Sequence, residues 1–113
     1  MGTDPEKAYE EVVGRLAESD NAQPGKMFGM PSAFIGGKAF AGYREGAMVF
    51  KLDGDAHAGA LGLRGAHLFE PMPGRPMKEW VVVPAEHSAD WVRIGKQALD
   101  YVAAAAAAKP KKR

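Results

Sequence analysis

The segment from residue 27 to residue 52 constrains the fold most, because short apolar stretches alternate there with glycine turns. Gly36-Gly37 reads as a two-residue turn, and Arg44-Glu45-Gly46 reads as a longer turn with glycine in the left-handed position. Strands joined by turns this short pair antiparallel, since a parallel pair needs a crossover of a dozen residues or more. The segment therefore predicts three antiparallel strands, over residues 27–35, 38–43 and 47–52.

The third of these strands shows which of its faces meets the core. Met48, Phe50 and Leu52 alternate with Ala47, Val49 and Lys51, and side chains two residues apart share one face of a strand. Since the first set is larger and wholly apolar, we predict that it faces the core.

A second apolar face also needs a cover. We predict that Val81 and Val83, in a later strand, join Ala47 and Val49 on the face away from the core. An apolar patch of this kind usually marks an interaction surface, and twofold pairing is the commonest assembly. We therefore expect this face to be buried, either under the protein's own helices or in a homodimer, which is the alternative we favour.

Helical patterns fill most of the remaining chain. Asp4-Pro5 begins a helix over residues 5–18, because aspartate caps free N–H groups and proline suits the first position. Asp55 is predicted to cap a helix over residues 56–63, and Ser88 a last helix that runs through the alanines towards Pro110.

Two further strands, over residues 66–69 and 77–83, are predicted on either side of a proline-rich loop. The order α-β-β-β-α-β-β-α predicts an α+β fold, a two-layer α/β sandwich with an antiparallel five-stranded sheet. Residues 1–108 form one domain in this prediction, and residues 109–113 form a basic, disordered tail.

No motif in the chain indicates catalysis. There is no cysteine, and the three Gly-Lys pairs lack the following Ser or Thr that a phosphate loop requires. His57, His67 and His87 do not share the spacing of helical zinc ligands. Glu86-His87 beside Ser88 resembles an acid-base cluster, but neighbours in sequence point in different directions. We predict no cofactor and no enzyme activity, and a small hydrolase or metal-dependent enzyme ranks last among the alternatives.

Charge is concentrated in the tail. Residues 109–113 hold four of the 15 basic residues, so residues 1–108, with all 14 acidic ones, carry a net charge of −3. A nucleic-acid binder normally presents a basic face, and residues 1–108 are net acidic, so nucleic-acid binding through the tail ranks second among the alternatives. The start of the chain lacks a signal-peptide core, and no apolar run approaches the length of about 20 residues needed to span a membrane, so we expect a cytoplasmic protein.

Several short motifs, in the right order, resemble the TfoX N-terminal-domain-like family of the YjbR-like superfamily, named for a bacterial competence regulator. The motifs are Lys26-Met27-Phe28-Gly29, Gly36-Gly37 to Phe40, Phe50-Lys51-Leu52-Asp53, Met77 with Trp80 and Val83-Pro84, and Trp91 in the last helix. The chain departs from the family pattern at Lys26, where arginine is usual, at Pro31-Ser32, where a glycine-rich step is usual, and at Trp80-Val81, where two tyrosines are usual.

The resemblance implies a two-layer sandwich and a regulatory or protein-interaction role without established catalytic residues. The family-motif residues are the candidates for partner binding: Lys26, Met27, Phe28, Gly29, Lys51 and Trp80. Lys26 either pairs with an acidic residue within the fold or meets an anionic partner. The partner we expect is an unidentified protein.

Overall fold

A computed structural model describes residues 4–27, 29–72 and 74–107, and these residues form six strands and three α-helices. A 3₁₀ helix, Ala85–Asp90, precedes the last α-helix. The elements in chain order are α1 Pro5–Asp20, β1 Gln23–Met27, β2 Met30–Ile35, β3 Lys38–Arg44, β4 Ala47–Lys51, α2 Gly54–Leu61, β5 His67–Met72, β6 Arg75–Pro84 and α3 Trp91–Ala107.

The strands form one open sheet in the order β1-β2-β3-β4-β6-β5, and every neighbouring pair is antiparallel. The predicted α+β class and antiparallel order are thus confirmed. The sheet has six strands where five were expected, because the first predicted strand is a hairpin. Gly29, with φ of 75°, turns the chain back between β1 and β2, and only glycine adopts that conformation without steric cost.

The two predicted hairpin turns are both present. Gly36 and Gly37 have φ of 59° and 82°, as a two-residue turn between twisted strands requires. The next turn is shorter than predicted, because Arg44 still pairs with Ala47 and only Glu45 and Gly46 lie between the strands.

All three helices pack on one face of the sheet, where the main core lies. Met48, Phe50 and Leu52 face this core and are fully buried, as the alternation of β4 predicts. The prediction for Val81 and Val83 was wrong: they pair with Phe50 and Met48 in register, so they lie on the helix side. The helices therefore cover them, and a second copy of the chain is not needed to bury them.

Helix α1 lies directly against α3. Gly95 of α3 is the point of close approach: a Cβ atom there would lie 3.2 Å from Leu16 Cδ1 and 3.3 Å from Val12 Cγ1. Asp4 caps α1 as predicted, since its side chain accepts a hydrogen bond from the Glu6 N–H. The packing of the two longest helices thus depends on a residue without a side chain.

Two predicted helix caps were wrong. Helix α2 begins at Gly54, so Asp55 lies inside its first turn and Asp53 precedes the helix without a side-chain cap bond. Ser88 lies within the 3₁₀ helix, and its carbonyl oxygen accepts a hydrogen bond from the Trp91 N–H. The chain tightens into this 3₁₀ turn directly after β6, so the α-helix starts at Trp91, two residues later than a cap at Ser88 predicts.

The last hairpin also differs, because β5 and β6 continue through Pro71 and Pro76. A proline is tolerated where its missing N–H is not needed by a neighbouring strand. Pro71 lies in an edge strand with shifted register, and Pro76 lies in the part of β6 that extends beyond its pairing with β4 at Trp80 to Pro84.

Candidate functional site

The sheet face opposite the helices, which we call the helix-free face, carries a second apolar cluster. Its centre is formed by Met30, Val49, Phe69 and Trp80, and each of these residues is at most 6% exposed. Within the described part of the chain, no helical residue contributes to this cluster. The side chains of the helix-free face therefore bury one another.

Glycines make this mutual burial possible. The ring of Phe34 lies over Gly25, where a Cβ atom would be only 2.6 Å from Phe34 Cε1. Met30 lies over Gly42 in the same way, with Cε 2.8 Å from the position of a Cβ atom. The two side chains thus fill the space over the glycine backbone, and an aromatic ring over a glycine of an edge strand is known to stabilise a sheet.

One part of the helix-free face stays open as a groove of about 410 Å³. Its apolar floor consists of Ala47, Val49 and Val82, which belong to the adjacent strands β4 and β6. Charged and aromatic side chains complete the lining. These are Arg44, Glu45, His67, Phe69 and Glu70.

Arg44 and Phe69 meet although two strands separate them. The guanidinium carbon of Arg44 lies 5.7 Å from the centroid of the Phe69 ring. Their strands β3 and β5 are three positions apart in the sheet, which is about 14 Å at the usual spacing. The two side chains must therefore reach towards each other across β4 and β6, and this cation–π contact orients the guanidinium beside the floor.

The other polar groups of the groove form hydrogen bonds or an ion pair with residues close to them in the sequence. The Glu70 carboxylate accepts a hydrogen bond of 2.6 Å from the Gly74 N–H, and His67 Nδ1 lies 3.2 Å from the Gly65 carbonyl oxygen. A carbonyl oxygen only accepts, so Nδ1 carries the proton of this bond. The Arg44 Nε atom is 3.9 Å from Glu45 Oε2, a loose ion pair between exposed side chains.

The predicted motif Lys26-Met27-Phe28-Gly29 lies at the β1–β2 hairpin. Lys26 is exposed and has no ion pair within the described residues, so the structure does not supply the acidic partner that one alternative required. Met27 is half-buried against the cluster of the helix-free face, and Gly29 forms the turn. Phe28 lies outside the described residues.

The other two predicted residues, Lys51 and Trp80, are paired across β4 and β6. Trp80 is buried in the cluster, and the Lys51 Nζ atom lies 3.7 Å from Glu79 Oε1. The structure thus brings Met27 and Trp80 into one cluster, whereas it leaves Lys26 at the sheet edge. Sequence reasoning missed Arg44, His67 and Glu70, whose only signal was proximity to the predicted strands.

Glu79 also connects the sheet to α3. The hydroxyl of Tyr101 donates a hydrogen bond of 2.9 Å to Glu79 Oε2. This bond, with a contribution from burial, raises the pKa of Tyr101 to about 12. Burial is the main cause that raises the pKa of Tyr9 to about 12, and Glu10 adds to it. Both hydroxyls therefore keep their protons up to about pH 12, whereas an ordinary tyrosine loses its proton near pH 10.

Each of the three histidines contacts a backbone carbonyl oxygen. His57 Nε2 lies 2.7 Å from the Lys78 oxygen, and His87 Nε2 lies 2.9 Å from the Arg64 oxygen. Among residues 4–27, 29–72 and 74–107, no group of three or more His, Asp or Glu side chains is placed to hold a metal ion. No helix in the same residues is long and apolar enough to span a bilayer.

Comparisons of the chain with family models, with curated proteins and with solved structures find no match. The resemblance to the TfoX N-terminal-domain-like family therefore stays a prediction that rests on the motifs quoted above.

Proposed function

We propose that the protein is a non-catalytic interaction module that binds a segment of another protein in the groove of the helix-free face. The observation that carries this proposal is the groove itself, an open cleft of about 410 Å³ with an apolar floor and a charged rim. Protein interfaces combine an apolar centre with a polar rim in the same way. A regulatory role, as the family resemblance implies, and a location in the cytoplasm, as the lack of a signal-peptide core indicates, are part of the proposal.

The composition of the rim supports a protein partner. Arginine and aromatic residues are enriched at interfaces, and Arg44 and Phe69 stand together at this groove. Beyond Glu70 on the same strand lies Met72, which is 61% exposed and is the one large apolar residue so exposed in the described part of the chain. Met72 is not part of the groove lining, but its exposed side chain gives a partner additional apolar surface at the end of the same strand.

The edges of the sheet are less suited to a partner than its face. Pro24 lies in edge strand β1 and Pro71 in edge strand β5, and neither residue has an N–H to donate to an added strand. Proline therefore weakens both edges as templates for strand addition. The homodimer stays a prediction, which light scattering would test. Val81 and Val83 are already buried within one chain, so their apolar surface gives no reason for pairing.

The proposal is tested by site-specific photo-cross-linking in cells. A photoreactive residue replaces Ala47 in the floor of the groove, and a matched control carries it at Ala104, an exposed position in α3. We expect one protein to cross-link at position 47 and not at position 104. The purified partner should then bind the wild-type chain and lose at least about tenfold in affinity for Ala47→Glu, which corresponds to about 1.4 kcal/mol.

The control for that binding measurement is Ala104→Glu, which adds the same charge away from the groove. Circular dichroism verifies that both variants keep the fold. Equal cross-linking at both positions, or a partner that binds Ala47→Glu as tightly as the wild type, would refute the groove as the binding site.

A further inference from the structure

We infer that the groove selects a segment in which a carboxylate stands next to an aliphatic side chain. This inference rests on the proposed function, because it specifies the chemistry of the partner at the same site. Two features of the groove support it. Some of its polar atoms have no hydrogen-bond partner within the described residues, and its floor is apolar and formed by short side chains.

Arg44 supplies the group that would bind the carboxylate. Within the described residues its closest carboxylate is that of Glu45, at 3.9 Å from Nε, and no ion pair occupies its terminal nitrogens. The contact with Phe69 holds the guanidinium in place. A planar, oriented guanidinium binds a carboxylate through two parallel hydrogen bonds, which gives both strength and directional preference.

The acidic residues of the rim do not cancel this preference. Glu70 is engaged by the Gly74 N–H, and the side chain of Glu45 is 83% exposed to water. Because Glu45 faces water, whose high dielectric constant weakens the interaction between two charges, its repulsion of an incoming carboxylate is small. His67 has Nδ1 engaged with Gly65, and its Nε2 has no hydrogen-bond partner in the described residues. Nε2 is thus a second group available to a polar ligand.

The floor selects the aliphatic neighbour. Ala47 and Val82 have short side chains and are half-buried, so they leave depth above the sheet without adding a polar atom. An aliphatic side chain removes this apolar surface from water at about 25 cal/mol per Å². A segment with the carboxylate at Arg44 and the aliphatic group on the floor therefore uses both parts of the groove.

The test is selection of a random peptide library on the immobilised full-length chain. We expect the retained peptides to be enriched in Asp or Glu directly beside Leu, Ile or Val. A synthetic peptide of that consensus should bind Arg44→Ala about tenfold more weakly than the wild type, because a hydrogen-bonded charge pair contributes about 1.5–3 kcal/mol. Arg44→Lys should fall between them, since it keeps the charge and loses the planar fork.

The matched control is Arg15→Ala, which removes an arginine from α1, on the opposite side of the sheet. It should leave peptide binding unchanged. Peptides that bind in the groove, lose binding with Ala47→Glu, but lack acidic residues or ignore Arg44→Ala would overturn this inference and leave the proposed function standing. Retention of no peptide, or binding that Ala47→Glu does not weaken, would overturn both.

Discussion

The same glycine-to-alanine change should have different effects in the two longest helices. Gly14 lies in the interior of α1, is exposed, and would place a Cβ atom in open space. Gly95 lies in α3, is buried, and would place a Cβ atom 3.2 Å from Leu16 Cδ1 and 3.3 Å from Val12 Cγ1. The pair separates the helix propensity of alanine from the packing of α1 against α3.

The magnitudes follow from these distances. Alanine in place of glycine in a helix interior contributes about 1 kcal/mol, so Gly14→Ala should stabilise the fold by about that amount. Gly95→Ala has the same propensity gain, but adding a methyl group to a well-packed contact costs about 1–3 kcal/mol. We therefore expect no net gain from Gly95→Ala, and Gly14→Ala should be the more stable variant by about 1–3 kcal/mol, the packing cost at Gly95.

Urea titration followed by circular dichroism measures both changes against the wild type, with the free energy of unfolding obtained by linear extrapolation. Thermal unfolding gives a second reading, in which 1 kcal/mol corresponds to a rise in Tm of about 4 °C for a chain of this size. If Gly95→Ala stabilised the protein as much as Gly14→Ala, the close approach of α1 and α3 at Gly95 would be refuted.

Three further predictions concern pH and packing. The raised pKa values of Tyr9 and Tyr101, each about 12 against 10.0 in the unfolded chain, imply that the free energy of unfolding falls as pH rises from 10 to 12, because the unfolded chain loses these protons first. Tyr101→Phe should reduce that fall in urea titrations across the window, and an equal fall in both proteins would contradict it. Met48→Ala should destabilise the core by about 2–5 kcal/mol, measured by the same titration, whereas a loss well below that range would show that residue 48 is not enclosed. Gly42→Val should cost about 1–3 kcal/mol, since its side chain would meet Met30 Cε and the Pro31 carbonyl; a neutral effect would mean that Met30 does not lie over Gly42.

Local chemistry determined much of the framework from the sequence alone. Asp4-Pro5 specifies the start of α1, because a capping carboxylate and a fixed φ act within one turn. Gly36-Gly37 specifies a hairpin, because both residues must adopt positive φ. The parity of Met48 and Phe50 specifies which face of β4 meets the core, because side chains alternate along any strand.

The register between neighbouring strands could not be predicted from the sequence. Phe40 and Ala41 are consecutive and both face the main core, because the pairing of β2 with β3 is irregular nearby. Val81 and Val83 take the helix side because they pair with Phe50 and Met48, and a shift of one residue would reverse their faces. A bulge or a shift of this kind depends on contacts between segments, which no single segment encodes.

The groove is the clearest product of tertiary structure. Arg44 and Phe69 are 25 positions apart in the chain and lie on strands that are not neighbours, yet their side chains meet at 5.7 Å. The sequence predicted the strand that carries Phe69 and the face shared by Ala47 and Val49, but it placed Arg44 in a turn, whereas Arg44 is the last residue of β3. Only the strand order β3-β4-β6-β5 placed the cation, the ring and the apolar floor at one site, because that order is set by the packing of the whole sheet on its helices.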